Sequence, residues 1–116
     1  MHLYLTAAYE RAIRKLLSED ERTSLETAVL AAPASAPIMP GTGGMRKIRW
    51  AGSGRGKRGG IRVVYFWIAN PDAIYMLGAF AKAKRADLTA AERKTLSQLV
   101  ATIKRERSNG DGARTN

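Results

Sequence analysis

Cysteine is missing from this chain altogether, which excludes disulfides and thiolate metal sites. Histidine occurs once, at His2. A zinc centre needs several such ligands at fixed spacing, so no metal or other cofactor is expected. Long apolar runs are missing too. The longest, near Val63–Ile68, is strand-sized and far short of the roughly 18 residues of a membrane span. The opening Met-His-Leu-Tyr-Leu-Thr has neither the basic region nor the long apolar stretch of a signal peptide. These absences point to a cytoplasmic protein with no membrane partner, and 116 residues to one domain.

Acidic residues are missing from the middle. Residues 31–86 hold one acid, Asp72, against ten bases: Arg46, Lys47, Arg49, Arg55, Lys57, Arg58, Arg62, Lys82, Lys84 and Arg85. That window carries +9 of a net charge of +10, while the flanks are nearly neutral. A cationic block threaded through strand-forming residues implies a surface that meets a polyanion, with a nucleic-acid backbone the first candidate.

Residues 7–17 have helical periodicity, with Tyr9, Ile13, Leu16 and Leu17 on one side. Ser18-Glu19-Asp20-Glu21 matches a capping box and predicts a second helix over roughly 20–32, giving a helical hairpin. Whether His2–Leu5 forms a strand ahead of it is open. Residues 33–44 are too rich in proline and glycine for regular structure. Met45–Trp50 alternates, with Ile48 and Trp50 on one face and Lys47 and Arg49 on the other. Ile61–Ile68 reads as a central strand and Ile74–Ala81 as its antiparallel neighbour. Thr89-Ala-Ala-Glu92 is a second capping box, opening a helix that should end near Glu106. Residues 1–107 form the expected domain and 108–116 an expected disordered tail. The fold class is α+β: a small antiparallel β-sheet with an N-terminal helical hairpin and a C-terminal helix.

The glycine-rich loop over residues 52–60 fails as a phosphate loop, because Arg58 follows Lys57 and a strand follows the loop. It reads either as a flexible basic arm that touches phosphates or as a solvated hairpin loop. Period-2 geometry puts Lys47 and Arg49 on one face, with Arg62 beside Arg49 on the next strand. Lys82 ends the third strand at the same end of the sheet. Its face depends on register, since a one-residue slip would flip it. Like charges on adjacent strands repel, so a purely structural sheet would tend to avoid this arrangement. Tyr65, Phe66, Trp67 and Tyr75 read first as core and second as base-stacking residues. No Asp/Glu pair lies within the basic block to support acid–base chemistry.

The strings Pro40-Gly-Thr-Gly-Gly-Met-Arg-Lys-Ile-Arg-Trp50, Gly54-Arg-Gly-Lys-Arg-Gly-Gly-Ile-Arg-Val-Val-Tyr65, Phe80-Ala-Lys82 and Asp87-Leu-Thr89 resemble the RelE/HigB-type toxins of bacterial toxin–antitoxin pairs. The resemblance spans roughly residues 7–105. It implies a ribosome-dependent endoribonuclease that cuts mRNA without a metal, by attack of the 2′-hydroxyl on the adjacent phosphate. It also implies that Lys47, Arg49, Arg62 and Lys82 are catalytic, with Arg62 the main phosphate clamp. Lys47 is the candidate proton acceptor, and Lys82 or Lys84 the candidate donor to the leaving oxygen. Arg46, Arg55, Lys57, Arg58, Lys84 and Arg85 would contact RNA or ribosome. The Tyr or His that some members carry after the last strand is absent from Ala81–Leu88. A cognate antitoxin, typically a helix-turn-helix protein, is the expected partner alongside mRNA and ribosome. Two other readings compete: a ParE-like toxin that inhibits gyrase, and a non-catalytic basic RNA-binding module.

Overall fold

A computed structural model describes residues 1–51, 60–70 and 72–115, with side chains up to residue 107. The chain runs β1 (His2–Leu5), α1 (Ala7–Leu16), α2 (Glu19–Ala31), β2 (Met45–Trp50), β3 (Ile61–Ile68), β4 (Ala73–Ala81) and α3 (Ala90–Thr115). It is an α+β architecture built on a four-stranded sheet in the order β1-β4-β3-β2.

The sheet is mixed, which corrects the expectation of a purely antiparallel one. β2–β3 and β3–β4 are antiparallel, but β1 pairs parallel to β4, with Tyr4 beside Tyr75. The reason lies in the connection. Two helices and two strands separate β1 from β4, so β1 is free to approach the open edge in either sense. Thr6 fixes the approach. Its N–H bonds to the Met76 carbonyl, its hydroxyl donates to the Met76 and Leu77 carbonyls, and the same hydroxyl accepts from the Tyr9 N–H as N-cap of α1.

Ser18 caps α2. Its hydroxyl accepts from the Glu21 N–H, and the Glu21 carboxylate accepts from the Ser18 N–H, the reciprocal pair the sequence announced. Two residues separate α1 from α2. Arg22 ties them, donating to Glu10 at 2.7 Å and to Glu26 at 2.8 Å. The buried Tyr9 hydroxyl donates to Glu26 at 2.7 Å. Burial and that carboxylate push the Tyr9 phenol well above its usual range, and the Arg22 bond holds Glu10 below its usual value.

Two cores follow from strand alternation. On one face α1 and α2 pack Tyr9, Ile13, Leu25 and Val29 against Ile61, Val63, Tyr65, Ile74 and Met76. On the other, Val100 and Ile103 of α3 pack against Met45, Val64, Phe66, Leu77 and Phe80. Each fully buried aliphatic side chain here contributes on the order of 1.5–3 kcal/mol. A register shift between Val64 and Tyr65 opposes Val64 to Gly78 and Tyr65 to Met76, leaving Leu77 as the extra residue of a bulge. Thr89 and Glu92 form the second capping box and open α3. The helical backbone continues to Thr115, past the end expected near Glu106. The side chains of the anticipated tail lie outside the described residues.

Candidate polyanion site

β2 and β3 bring the cations together by simple cross-strand pairing. Arg49 stands opposite Arg62, and Lys47 stands opposite Val64 in the next row on the same face. Side chains so opposed have Cβ atoms about 4.5–5.5 Å apart. This is the face that α3 covers further along, where Val64, Phe66 and Met45 are buried beneath it. Beyond the start of α3 the face is open, with Arg49 exposed and Arg62 and Lys47 half-buried.

The register settles where Lys82 falls. Arg62 pairs with Phe80 and Ile61 with Ala81, and the Lys82 N–H continues the ladder to the Gly60 carbonyl at 3.1 Å. Lys82 therefore lies one residue beyond Ala81, on the parity of Phe80, at the Arg62 end of the sheet. Its Nζ reaches the Ala86 carbonyl at 3.5 Å. Gly60 makes this corner possible. Its φ is +71°, and a Cβ there would lie 2.4 Å from the Trp50 carbonyl oxygen.

The segment between β4 and α3 folds back over this end. Lys47 Nζ lies 3.2 Å from Asp87 Oδ1, the same oxygen that accepts from the Leu88 N–H at 2.8 Å. Burial raises the Asp87 carboxyl, but the Leu88 N–H and Lys47 together outweigh it and hold the group below its ordinary value. Arg85 stacks over Phe80 at 4.9 Å and pairs with Glu92, which that bond and the Thr89 N–H hold below the usual glutamate value. Lys84 is exposed.

Asp87 is the site residue that the charge pattern missed. It stands one position outside the cation-rich window, whose single acid is Asp72. The available signal was its place two residues before the Thr89 cap, where the chain must turn back across the sheet.

Arg46 separates from the others. Alternation turns it away from Lys47, and its guanidinium donates to the Ala34 and Ala36 carbonyls at 3.1 and 2.7 Å and lies 5.8 Å from the Trp67 ring. Arg55, Lys57 and Arg58 lie outside the described residues. Tyr65 and Phe66 are buried, with the Tyr65 hydroxyl donating to the Pro33 carbonyl. Trp67 and Tyr75 are half-buried and bonded to Asp72 and Arg107. Among the described residues, no three His, Cys, Asp or Glu side chains gather as a metal site would require. No helix among them is long and apolar enough to cross a membrane.

The arrangement has the properties of an oxyanion receptor. Lys47 and Arg49 of β2, Arg62 of β3 and Lys82 just beyond β4 share one face of the sheet, at positions set by the ladder. Comparison with known proteins bears on the fold and the family. The fold resembles that of the Escherichia coli toxin RelE, solved in the free state as a double arginine-to-alanine mutant. The TM-score is 0.51 at 17% identity, over 83% of this chain and 92% of that one. Residues 1–110 match the family described as the RelE toxin of the RelE/RelB toxin–antitoxin system. A match over nearly the whole length, on a fold with this sheet, makes the chain a member of the RelE toxin family.

Proposed function

We propose that this toxin is an endoribonuclease that cleaves mRNA on the ribosome in the cytoplasm and is held in check by a cognate antitoxin, of the helix-turn-helix type. The observation that carries the reading is the direct opposition of Arg49 and Arg62, with Lys47 one row away on the same face. A sheet built only for stability gains nothing from that pairing, whereas a phosphodiester gathering negative charge at its non-bridging oxygens is held by it. We read α1–α2 as the N-terminal helical hairpin of the family fold and residues 1–107 as the toxin domain.

The chemistry needs no metal. The 2′-hydroxyl attacks the adjacent phosphorus, the bond to the 5′-oxygen breaks, and the products are a 2′,3′-cyclic phosphate and a 5′-hydroxyl. Arg62, with Arg49, clamps the non-bridging oxygens. Lys47, entering the step as the neutral amine with Asp87 holding its position, accepts the proton of the attacking 2′-hydroxyl. Lys82, or Lys84 beside it, protonates the departing oxygen. Lys84 and Arg85, with Arg55, Lys57 and Arg58 of the glycine-rich loop, contact RNA or ribosome around that centre.

The test is primer extension on mRNA in a translating extract, reading for new 5′-hydroxyl ends. The wild type is expected to cut, and Arg62→Ala to lose about 100- to 1000-fold in rate, as removal of one preorganised oxyanion donor does. Cutting by Arg62→Ala at the wild-type rate would remove the clamp from the mechanism.

A further inference from the structure

We infer that the cavity at the opposite end of β2 and β3 is a second site for RNA phosphates, occupied by the same strand whose scissile bond lies at Arg49 and Arg62. The inference rests on the endoribonuclease reading. The cavity has a volume of about 510 Å³, and Arg46, Lys104 and Arg107 line it together with Phe66 and Trp67. Its cations come from β2 and from successive turns of α3.

What distinguishes these three cations is the kind of group that holds them. Among the described residues none of them pairs with a carboxylate, whereas Lys47, Arg22 and Arg85 all do. Arg46 is fixed by two backbone carbonyls. Arg107 is fixed by the Tyr75 hydroxyl, its Nε at 2.8 Å, and lies over the stacked Tyr4 and Tyr75 rings at 5.4 and 5.5 Å. Lys104 Nζ lies 5.8 Å from the Phe66 ring. Neutral holders set position without cancelling charge, and among the described residues no acidic one lines the cavity. The result is a concave positive field with its donors already placed.

The ligand class follows from which surfaces are open. Cations already lie over Phe66 and Trp67, so the site offers charge in preference to ring faces for stacking. That suits a phosphate backbone better than a base. It also disfavours an acidic, apolar protein segment, for which the exposed Ile38 at the rim is the main foothold. Phe66 stands four residues from Arg62 along β3, roughly 13 Å at about 3.3 Å per residue. A strand held at the cleavage cluster reaches that far within a few nucleotides.

Lys104 is exposed on a helix, so its substitution tests the site without disturbing the core. The probe is fluorescent single-stranded RNA with 2′-O-methyl riboses, which cannot be cut, titrated with the free toxin over a range of salt. With an RNA long enough to span both sites, Lys104→Ala is expected to lower the salt slope by about 0.7, the value for one lost phosphate contact on a single strand. Lys104→Arg should restore the slope, and a trinucleotide should bind both variants as it binds wild type. An unchanged slope with the long RNA, or no salt-dependent binding by wild type, overturns the proposal. So does an unchanged slope accompanied by weakened binding of the antitoxin, which would assign the cavity to a protein partner. Cleavage by Arg62→Ala is a separate readout, so failure of the cavity and failure of the endoribonuclease reading remain distinguishable.

Discussion

The α1–α2 side of the molecule and the Arg49–Arg62 end of the sheet treat charge in opposite ways. Between the helices, Arg22 sits between two carboxylates, Glu10 and Glu26, and even the buried Tyr9 hydroxyl is given to one of them. On the sheet, Arg49 faces another arginine. The first arrangement holds two helices together and offers nothing to a ligand. The second spends stability, of the order of 0.2–1 kcal/mol for like charges directly opposed, and on the endoribonuclease reading that charge is kept for a phosphodiester. Lys47 stands between these extremes, on the open face but steadied by one acid from a loop.

Removing a cation from each region should separate the two roles. Arg62→Ala carries the largest expected effect, the 100- to 1000-fold loss of cleavage described above, with stability changed by no more than about 1 kcal/mol as the opposition to Arg49 disappears. Arg22→Ala should do the reverse. It leaves Glu10 and Glu26 without their shared partner and should lower the urea-unfolding midpoint while the folded protein still cuts. If Arg22→Ala abolished cleavage with unfolding unchanged, the division between the regions would be wrong.

Gly60→Ala probes the corner just before β3, at the cation end of the sheet. The positive φ and the 2.4 Å approach to the Trp50 carbonyl allow no Cβ without movement. A loss of at least 1–2 kcal/mol in stability is expected from the backbone conformation alone, to an order of magnitude. Arg62, the second residue of β3, lies two residues on, so cleavage should fall as well, through displacement and not through lost charge. Asp87→Asn is gentler. The pair with Lys47 is partly exposed, so stability should change by less than about 1 kcal/mol. A slower cleavage step at unchanged Tm would identify Asp87 as the residue that positions Nζ.

Much of this contrast was legible in the residues themselves. The Ser18–Glu21 and Thr89–Glu92 boxes mark where α2 and α3 start, because the cap is a local bargain between a hydroxyl and two backbone amides. Alternation through Met45–Trp50 puts Lys47 and Arg49 on one face, and the same rule turns Arg46 off it. The direction of β1 was not legible. Four residues carry no orientation, and the parallel pairing is decided by β4, some seventy residues away in sequence. Nor was the face of Lys82, which depends on the Leu77 bulge, a tertiary adjustment that leaves no mark on the apolar pattern. Asp87 was hidden because a charge count finds like charges in a window and cannot see a loop bringing an acid back.

Acid titration sharpens the comparison with the smallest perturbation. Arg22 holds Glu10 below its ordinary value of 4.5, and Arg85 does the same for Glu92. A carboxylate whose folded value is depressed contributes stability that is fully present above its unfolded value and disappears as pH falls through the folded one. Both contributions should therefore hold from neutral pH down to about 4.5 and fade below it, a change that Tm measured stepwise between neutrality and strong acid will show. Among the described residues Arg49 has no carboxylate partner to titrate, so its charge should persist through that window. Arg22→Ala should then flatten the part of the acid response that belongs to α1 and α2, whereas Arg49→Ala should leave the whole profile in place. An Arg49→Ala profile displaced as far as that of Arg22→Ala would mean that the sheet cations are compensated after all.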